Sequence, residues 1–207
     1  RFGFDISDDN FFDLLANLKA IKNVELNGLH CHFPDRSLES FVSRTERILQ
    51  LSDQIFDAPP KFIDIGGGYF GYIAESLQEQ FSTSVPSYSE YAETVASKFY
   101  EHYKNVDEKN RPELILEPGS ALVGDVMSFV ARIVDIKNVR GRNIATSSGS
   151  KFNIGLLTSN INMPIYVYNS PIDSINYPQI DIAGYTCIES DILFHGYEGE
   201  LGIGSFI

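Results

Sequence analysis

Between Asp9 and Leu116 the hydrophobic pattern switches repeatedly between helical spacing and strict alternation, and few folds accommodate that sequence of elements. Phe11, Phe12, Leu14, Leu15, Leu18 and Ile21 predict a helix over Asp9–Ile21, with Ser7 to Asp9 as candidate caps. A strand follows from Val24 to His32, closed by Pro34. Ser37 then reads as the N-cap of a long amphipathic helix carrying Leu38, Phe41, Val42, Ile48, Leu49 and Ile55, which ends by Pro59 and Pro60. Lys61–Ile65 is a short apolar strand that runs into Gly66, Gly67 and Gly68. A helix over Ser87–Lys104, with Tyr91, Val95, Phe99 and Tyr103 on one face, precedes a last short strand, Glu113–Leu116. Strands alternating with helices imply an α/β architecture with a parallel sheet, either doubly wound or part of a (β/α) barrel.

After Gly119 the pattern changes. Val123–Ile136, Ile144–Thr146, Met163–Tyr168 and Gln179–Ala183 read as β segments, and no convincing helical period follows, so a domain boundary is expected near Leu122. The chain begins at Arg1 and stops at Ile207 inside an apparent strand, which reads as part of a longer protein. Its 207 residues are 43% apolar, enough for a sizeable core. Sixteen Lys and Arg against 28 Asp and Glu leave a net charge of −12, which disfavours nucleic acid and anionic membrane as main partners. Apolar runs such as Ser128–Ile136 are broken by Arg132 and Asp135 and are too short to span a bilayer. Two distant cysteines, Cys31 and Cys187, without a signal peptide, point to a reducing, cytoplasmic setting, with one disulfide between them left open.

Three strands end on unusual chemistry: His30 and His32, then Asp64 with the three glycines, then Glu117. Ligands of parallel α/β proteins sit outside the carboxyl ends of the strands, so these residues are expected to share one pocket. A triple glycine leaves backbone N–H groups unshielded and able to wrap a phosphate without cationic side chains; a tight turn needing positive φ is the alternative. His30 and His32 are expected to point to opposite sides of the sheet, so that only one enters the pocket. A structural, hydrogen-bonded core histidine is the competing reading. With His102 and His195 as the remaining histidines, no metal set is expected. Glu117 should be partly buried and in need of a cation or proton donor, such as a cofactor ring nitrogen. Cys187 lies beside Glu189 and Asp191, which favours a proton donor over a thiolate nucleophile, though a lone cysteine is usually inert packing.

In order, Gly28-Leu-His-Cys-His32, Asp64-Ile-Gly-Gly-Gly68, Glu117-Pro-Gly119 and Cys187-Ile-Glu-Ser-Asp191 resemble the fold-type III pyridoxal-phosphate enzymes of the alanine-racemase fold. More narrowly they resemble its decarboxylase branch, which includes the diaminopimelate, ornithine and arginine decarboxylases. The resemblance runs from Arg1-Phe-Gly3 to Gly204. It implies that residues 1–121 are the later portion of a pyridoxal-phosphate-binding (β/α)8 barrel and 122–207 most of a mostly antiparallel β domain. It further implies that His32 stacks on the cofactor ring, that Gly66, Gly67 and Gly68 hold the phosphate with Gly119 and Ser120 nearby, and that Glu117 pairs with the ring nitrogen. A carboxylate there keeps the ring cationic and favours decarboxylation over racemisation, for which an arginine is typical. Cys187 would reprotonate the product from the opposite subunit of a homodimer. Glu189 and Asp191 are candidates for the substrate's distal end, Asp191 also for holding the loop. No lysine here, Lys61 and Lys151 included, matches the family's cofactor-bearing lysine.

Departures from the family pattern bear on function. Ser120 stands where an arginine near the phosphate is usual, Pro34-Asp35 replaces Gly-Ser, with Ser37 as a compensating candidate, and Ile188 replaces the acidic residue that holds a distal amine. The expected activity is decarboxylation of an amino acid other than a plain diamine precursor. A non-catalytic regulatory relative and a racemase or epimerase are the alternatives.

Overall fold

The computed structural model of the chain describes residues 2–155 and 161–207. In chain order its elements are α1 (Phe11–Lys19), β1 (Gly28–His30), α2 (Leu38–Ile55), β2 (Phe62–Asp64), α3 (Glu75–Gln78), α4 (Tyr88–Tyr103), β3 (Glu113–Ile115), α5 (Ser120–Val123), β4 (Ile133–Val139), β5 (Arg142–Ser147), β6 (Ile175–Ala183) and β7 (Ile192–Leu201). They fall into two compact units, 1–69 with 86–119 and 70–85 with 120–207.

In the first unit β1, β2 and β3 form a parallel sheet in that order. Parallel neighbours need crossover connections, and α2 and α4 lie in the two connections. Both helices begin as the sequence predicts. Ser37 Oγ accepts from Ser40 N at 3.2 Å, and Ser87 and Glu90 form a reciprocal capping box. The buried stripe of α2 is Phe41, Arg44, Thr45, Ile48, Leu49, Ser52 and Ile55, at helical spacing. Phe41 packs against Tyr69 and Tyr91 with ring centroids 4.5 and 4.8 Å away. Ile63 and Ile65 of the central strand segment are fully buried.

The second unit is built on a mixed sheet ordered β4-β5-β6-β7, with β5 and β6 parallel and the other two pairings antiparallel. Ile133, Ala145, Ile180, Ile182, Leu193 and Leu201 form its core. Pro178 cannot donate to a ladder, and the β6–β7 register shifts between Tyr177 and Ile180.

Several expected strands are shorter than the sequence suggests. The Val24–His32 segment pairs only over Gly28–His30. The Val123–Ile136 segment opens as the last residue of the four-residue helical turn α5 and becomes a strand only at Ile133. Of Met163–Tyr168 only Tyr168 pairs, through an isolated bridge to Phe206, and Pro164, second in the segment, has no N–H to donate. Ile207 does exchange two backbone hydrogen bonds with Ala131. Cys31 and Cys187 are both free thiols. Among the described residues no helix is long and apolar enough to cross a membrane. Arg1, the first residue of the motif comparison, lies outside the described residues.

Candidate functional site

The parallel register places His30 opposite Asp64 and Asp64 opposite Ile115. Beyond the strands the ladder continues, since Cys31 N donates to Asp64 O (2.9 Å), Ile65 N to Ile115 O (3.2 Å) and Glu117 N to Gly66 O (3.0 Å). Backbone pairing therefore sets Glu117 beside the glycine turn and brings three strand ends into one cluster.

His30 Nε2 lies 3.4 Å and His32 Nδ1 3.9 Å from the same oxygen, Glu117 Oε2. Both histidines enter the site, which corrects the expectation that only one would: residues i and i+2 of an extended chain share a face. Cys31, between them, is the residue that turns away. Burial pushes its thiol up to about 11, with Arg44 opposing and Asp64 adding to the shift. The Glu117 side chain is 50% exposed, more open than its apolar strand implied.

The glycine turn is held by the same cluster. Gly66 and Gly68 have φ of +71° and +90°, where L side chains are strained. Gly66 N donates to Asp64 Oδ1 at 2.8 Å and Gly67 N to His32 Nδ1 at 3.2 Å. With Nδ1 accepting, the neutral His32 ring carries its proton on Nε2. Among the described residues nothing accepts from the Gly68 N–H. Gly67 allows close approach, because a Cβ there would fall 2.5 Å from Glu117 O.

Asp35 does not face the turn as a bare carboxylate. Its Oδ1 accepts from Ser37 N at 2.8 Å, and bonds from Ser37 hold its carboxyl below the ordinary range. Ser37 caps α2 and is thereby engaged as well. The residue that sequence reasoning missed is Arg44. It is 3% exposed and donates to Gly67 O (3.0 Å), Asp35 O (2.5 Å) and Ser40 Oγ (2.9 Å). A charge on the apolar stripe of α2, three residues after Phe41, was the available signal.

His30, Asp64 and Glu117 each offer one ligand atom within 4.8 Å of the others, a spacing that suits a divalent cation. Counting only histidines and cysteines overlooked the two carboxylates. Of the remaining candidates in this unit, Gly119 stands in open space, with no atom within 4 Å of a would-be Cβ.

In the second unit Ser120 opens α5, whose turn is closed by Gly124 N donating to Ser120 O at 2.9 Å. Cys187, Ile188 and Glu189 are exposed on the loop between β6 and β7. Asp191 is buried at its base, 2% exposed. Its carboxylate accepts from Ser150 Oγ (2.9 Å to each oxygen), Lys151 N (3.0 Å), Thr186 N (3.2 Å) and Thr186 Oγ1 (2.6 Å). Its oxygens thus anchor the loop that presents Cys187.

Burial opposes the Asp191 charge, but the donors from Thr186, Ser150 and Lys151 outweigh it and hold the carboxyl below its usual range. A depressed carboxyl stabilises the fold above its unfolded value, about 4, and loses that contribution as pH falls through its folded value. Asp191→Asn should therefore cost about 2–4 kcal/mol at neutral pH. Thermal unfolding from pH 7 to 3 should show the wild-type advantage shrinking below about pH 4; a constant gap would contradict the assignment.

Residues 1–124 match the family model described as "Pyridoxal-dependent decarboxylase, pyridoxal binding domain". The chain is similar to the diaminopimelate decarboxylase of Haemophilus influenzae, 26% identical over 215 residues, covering 100% of this chain and 47% of that protein. It is likewise 26% identical to the diaminopimelate decarboxylase of Bacillus methanolicus, over 93% of this chain and 44% of the relative. Among solved structures, the arginine decarboxylase of Paramecium bursaria Chlorella virus superposes with a TM-score of 0.74 at 18% identity, covering 100% of this chain and 53% of that one. The lysine decarboxylase of Selenomonas ruminantium gives 0.74 at 16% identity, over 100% and 51%. The chain spans about half the length of the relatives it matches.

Proposed function

Because the chain belongs to the pyridoxal-dependent decarboxylase family, we propose that it is the part of an amino-acid decarboxylase that holds pyridoxal phosphate at the ends of β1, β2 and β3. The observation that carries this reading is the convergence of His30 and His32 on one carboxylate oxygen of Glu117 beside the glycine turn. The residues fit the cofactor: a carboxylate for the ring nitrogen, a histidine ring for its face, and a Gly68 N–H without an acceptor among the described residues for its phosphate. In this reading residues 1–121 are the later portion of a (β/α)8 barrel and residues 122–207 a β domain.

Pyridoxal phosphate, when bound, supplies the electron sink that accepts the pair left as CO2 departs. Glu117 holds a proton at the ring nitrogen by charge, which makes that sink strong. His32, oriented by the bond from Gly67 N, would offer its ring to the face of the cofactor. Gly66, Gly67 and Gly68 would cradle the phosphate. Cys187, on a loop held by Asp191, would supply the proton to the product carbon from the other subunit of a homodimer. Both cysteines are free thiols, which suits the reducing cytoplasm.

The names of the curated relatives favour a substrate with a second amine, diaminopimelate first. They outweigh the expectation drawn from Ile188, which rested on one exposed loop position. Release of CO2 from diaminopimelate, lysine, ornithine, arginine and a panel of other amino acids by the complete protein with pyridoxal phosphate tests the activity. No release from any of them would overturn it. Cys187→Ala should slow amine formation about 100-fold or divert protonation, read as a rising share of carbonyl by-product. An unaltered product ratio and rate would remove Cys187 from the catalytic residues.

A further inference from the structure

We propose that Arg44 is the positioning residue that supplies the positive charge for the cofactor's phosphate, acting from beneath the glycine turn through the Gly67–Gly68 peptide. The inference rests on the reading that this pocket binds pyridoxal phosphate. Ser120, in the place where the family pattern carries an arginine, brings a hydroxyl but no charge, and Asp35 adds a carboxylate close by in sequence. A phosphate held by the turn therefore needs a cation from another element.

Arg44 is built to be that cation. Its guanidinium is buried, lies 4.0 Å from the Phe41 ring centroid, and donates through Nη1 to Gly67 O and through Nη2 to Asp35 O. Burial of an arginine without a salt-bridged carboxylate is costly, and here the guanidinium hydrogen-bonds only to carbonyls and a hydroxyl, with the Asp35 carboxylate acting on it at longer range. Arg44 Nε and Tyr69 Oη are both buried without a partner among the described residues. Nothing in the packing of α2 requires a charge on its apolar stripe, so a role in the turn explains its presence better than stability does.

The coupling is direct. In a trans peptide the carbonyl and the N–H point in opposite directions. The carbonyl that accepts from Arg44 belongs to Gly67, and the N–H of the same peptide unit is that of Gly68, which has no acceptor among the described residues. A charged donor on the carbonyl polarises that unit and makes the N–H a stronger donor to an anion. The same bond fixes the turn in register, since Arg44 also ties the 33–37 segment to it through Asp35 O.

The test compares equilibrium binding of pyridoxal phosphate and of pyridoxal to the complete protein, wild type against Arg44→Gln, Arg44→Met and Arg44→Lys. The phosphate's share of the affinity is the ratio of the two constants. Gln and Met should lower that ratio on the order of 30-fold while leaving pyridoxal binding within about threefold, and Lys should restore most of it. Equal losses for both ligands, or failure of all three variants to fold, would assign Arg44 to stability alone and overturn the inference. Failure of the wild type to bind either ligand would instead overturn the cofactor reading on which it rests.

Discussion

Glu117→Gln should leave pyridoxal phosphate bound within about tenfold of wild type and cut turnover on the order of 10³-fold, because it removes charge without removing shape. The backbone of residue 117 stays in place through its bond to Gly66 O, at 3.0 Å. The side chain is half-exposed, so the substitution costs little in stability. What changes is the carboxylate charge that holds a proton at the ring nitrogen; an amide of the same size accepts a hydrogen bond and carries none. A kcat within tenfold of wild type, measured at saturating cofactor, would contradict the role given to Glu117.

Gly66→Ala should destabilise the protein by about 2–4 kcal/mol and weaken cofactor binding more than 100-fold. Gly66 has φ +71°, and a Cβ there would press against Cys31 O and lie 3.0 Å from His32 Nδ1. The turn cannot move away from that contact without also disturbing His32 and the bonds of Gly66 N and Gly67 N. Gly119→Ala is the internal control, since a Cβ at Gly119 meets nothing within 4 Å, and it should unfold within about 0.5 kcal/mol of wild type. Comparable losses at both positions, by thermal unfolding, would show that the turn does not have the constrained geometry described.

Features set by local chemistry were legible in the sequence. The start of α2 followed from Ser37, because capping is decided within a few residues, and α4 from the spacing of its apolar face. The meeting of Glu117 with the histidines followed from the position of each at a strand end. Features set by pairing or packing at a distance were less so. Strand lengths depend on neighbours, so β1 shrank to Gly28–His30, and Met163–Tyr168 lost its ladder around Pro164. The parallel pairing of β5 with β6 joins Ile144 to Asp181, a contact no local pattern encodes. That His30 and His32 share a face follows from the period of the pleat alone, since residues two apart on a strand lie on one side. Arg44 was visible as a charge on an apolar stripe, but its meaning depended on the carbonyls of Gly67 and Asp35, which only the folded chain brings to it.

The central claim is that the pocket at the ends of β1, β2 and β3 holds pyridoxal phosphate. The most direct measurement reduces the complete protein with borohydride after adding the cofactor and locates the labelled lysine by peptide mass, alongside the same reaction on Gly66→Ala. The expected result is one stoichiometrically labelled lysine outside residues 1–207, with labelling lost in Gly66→Ala. No label, or a label on Lys61 or Lys151 that survives Gly66→Ala, would contradict it.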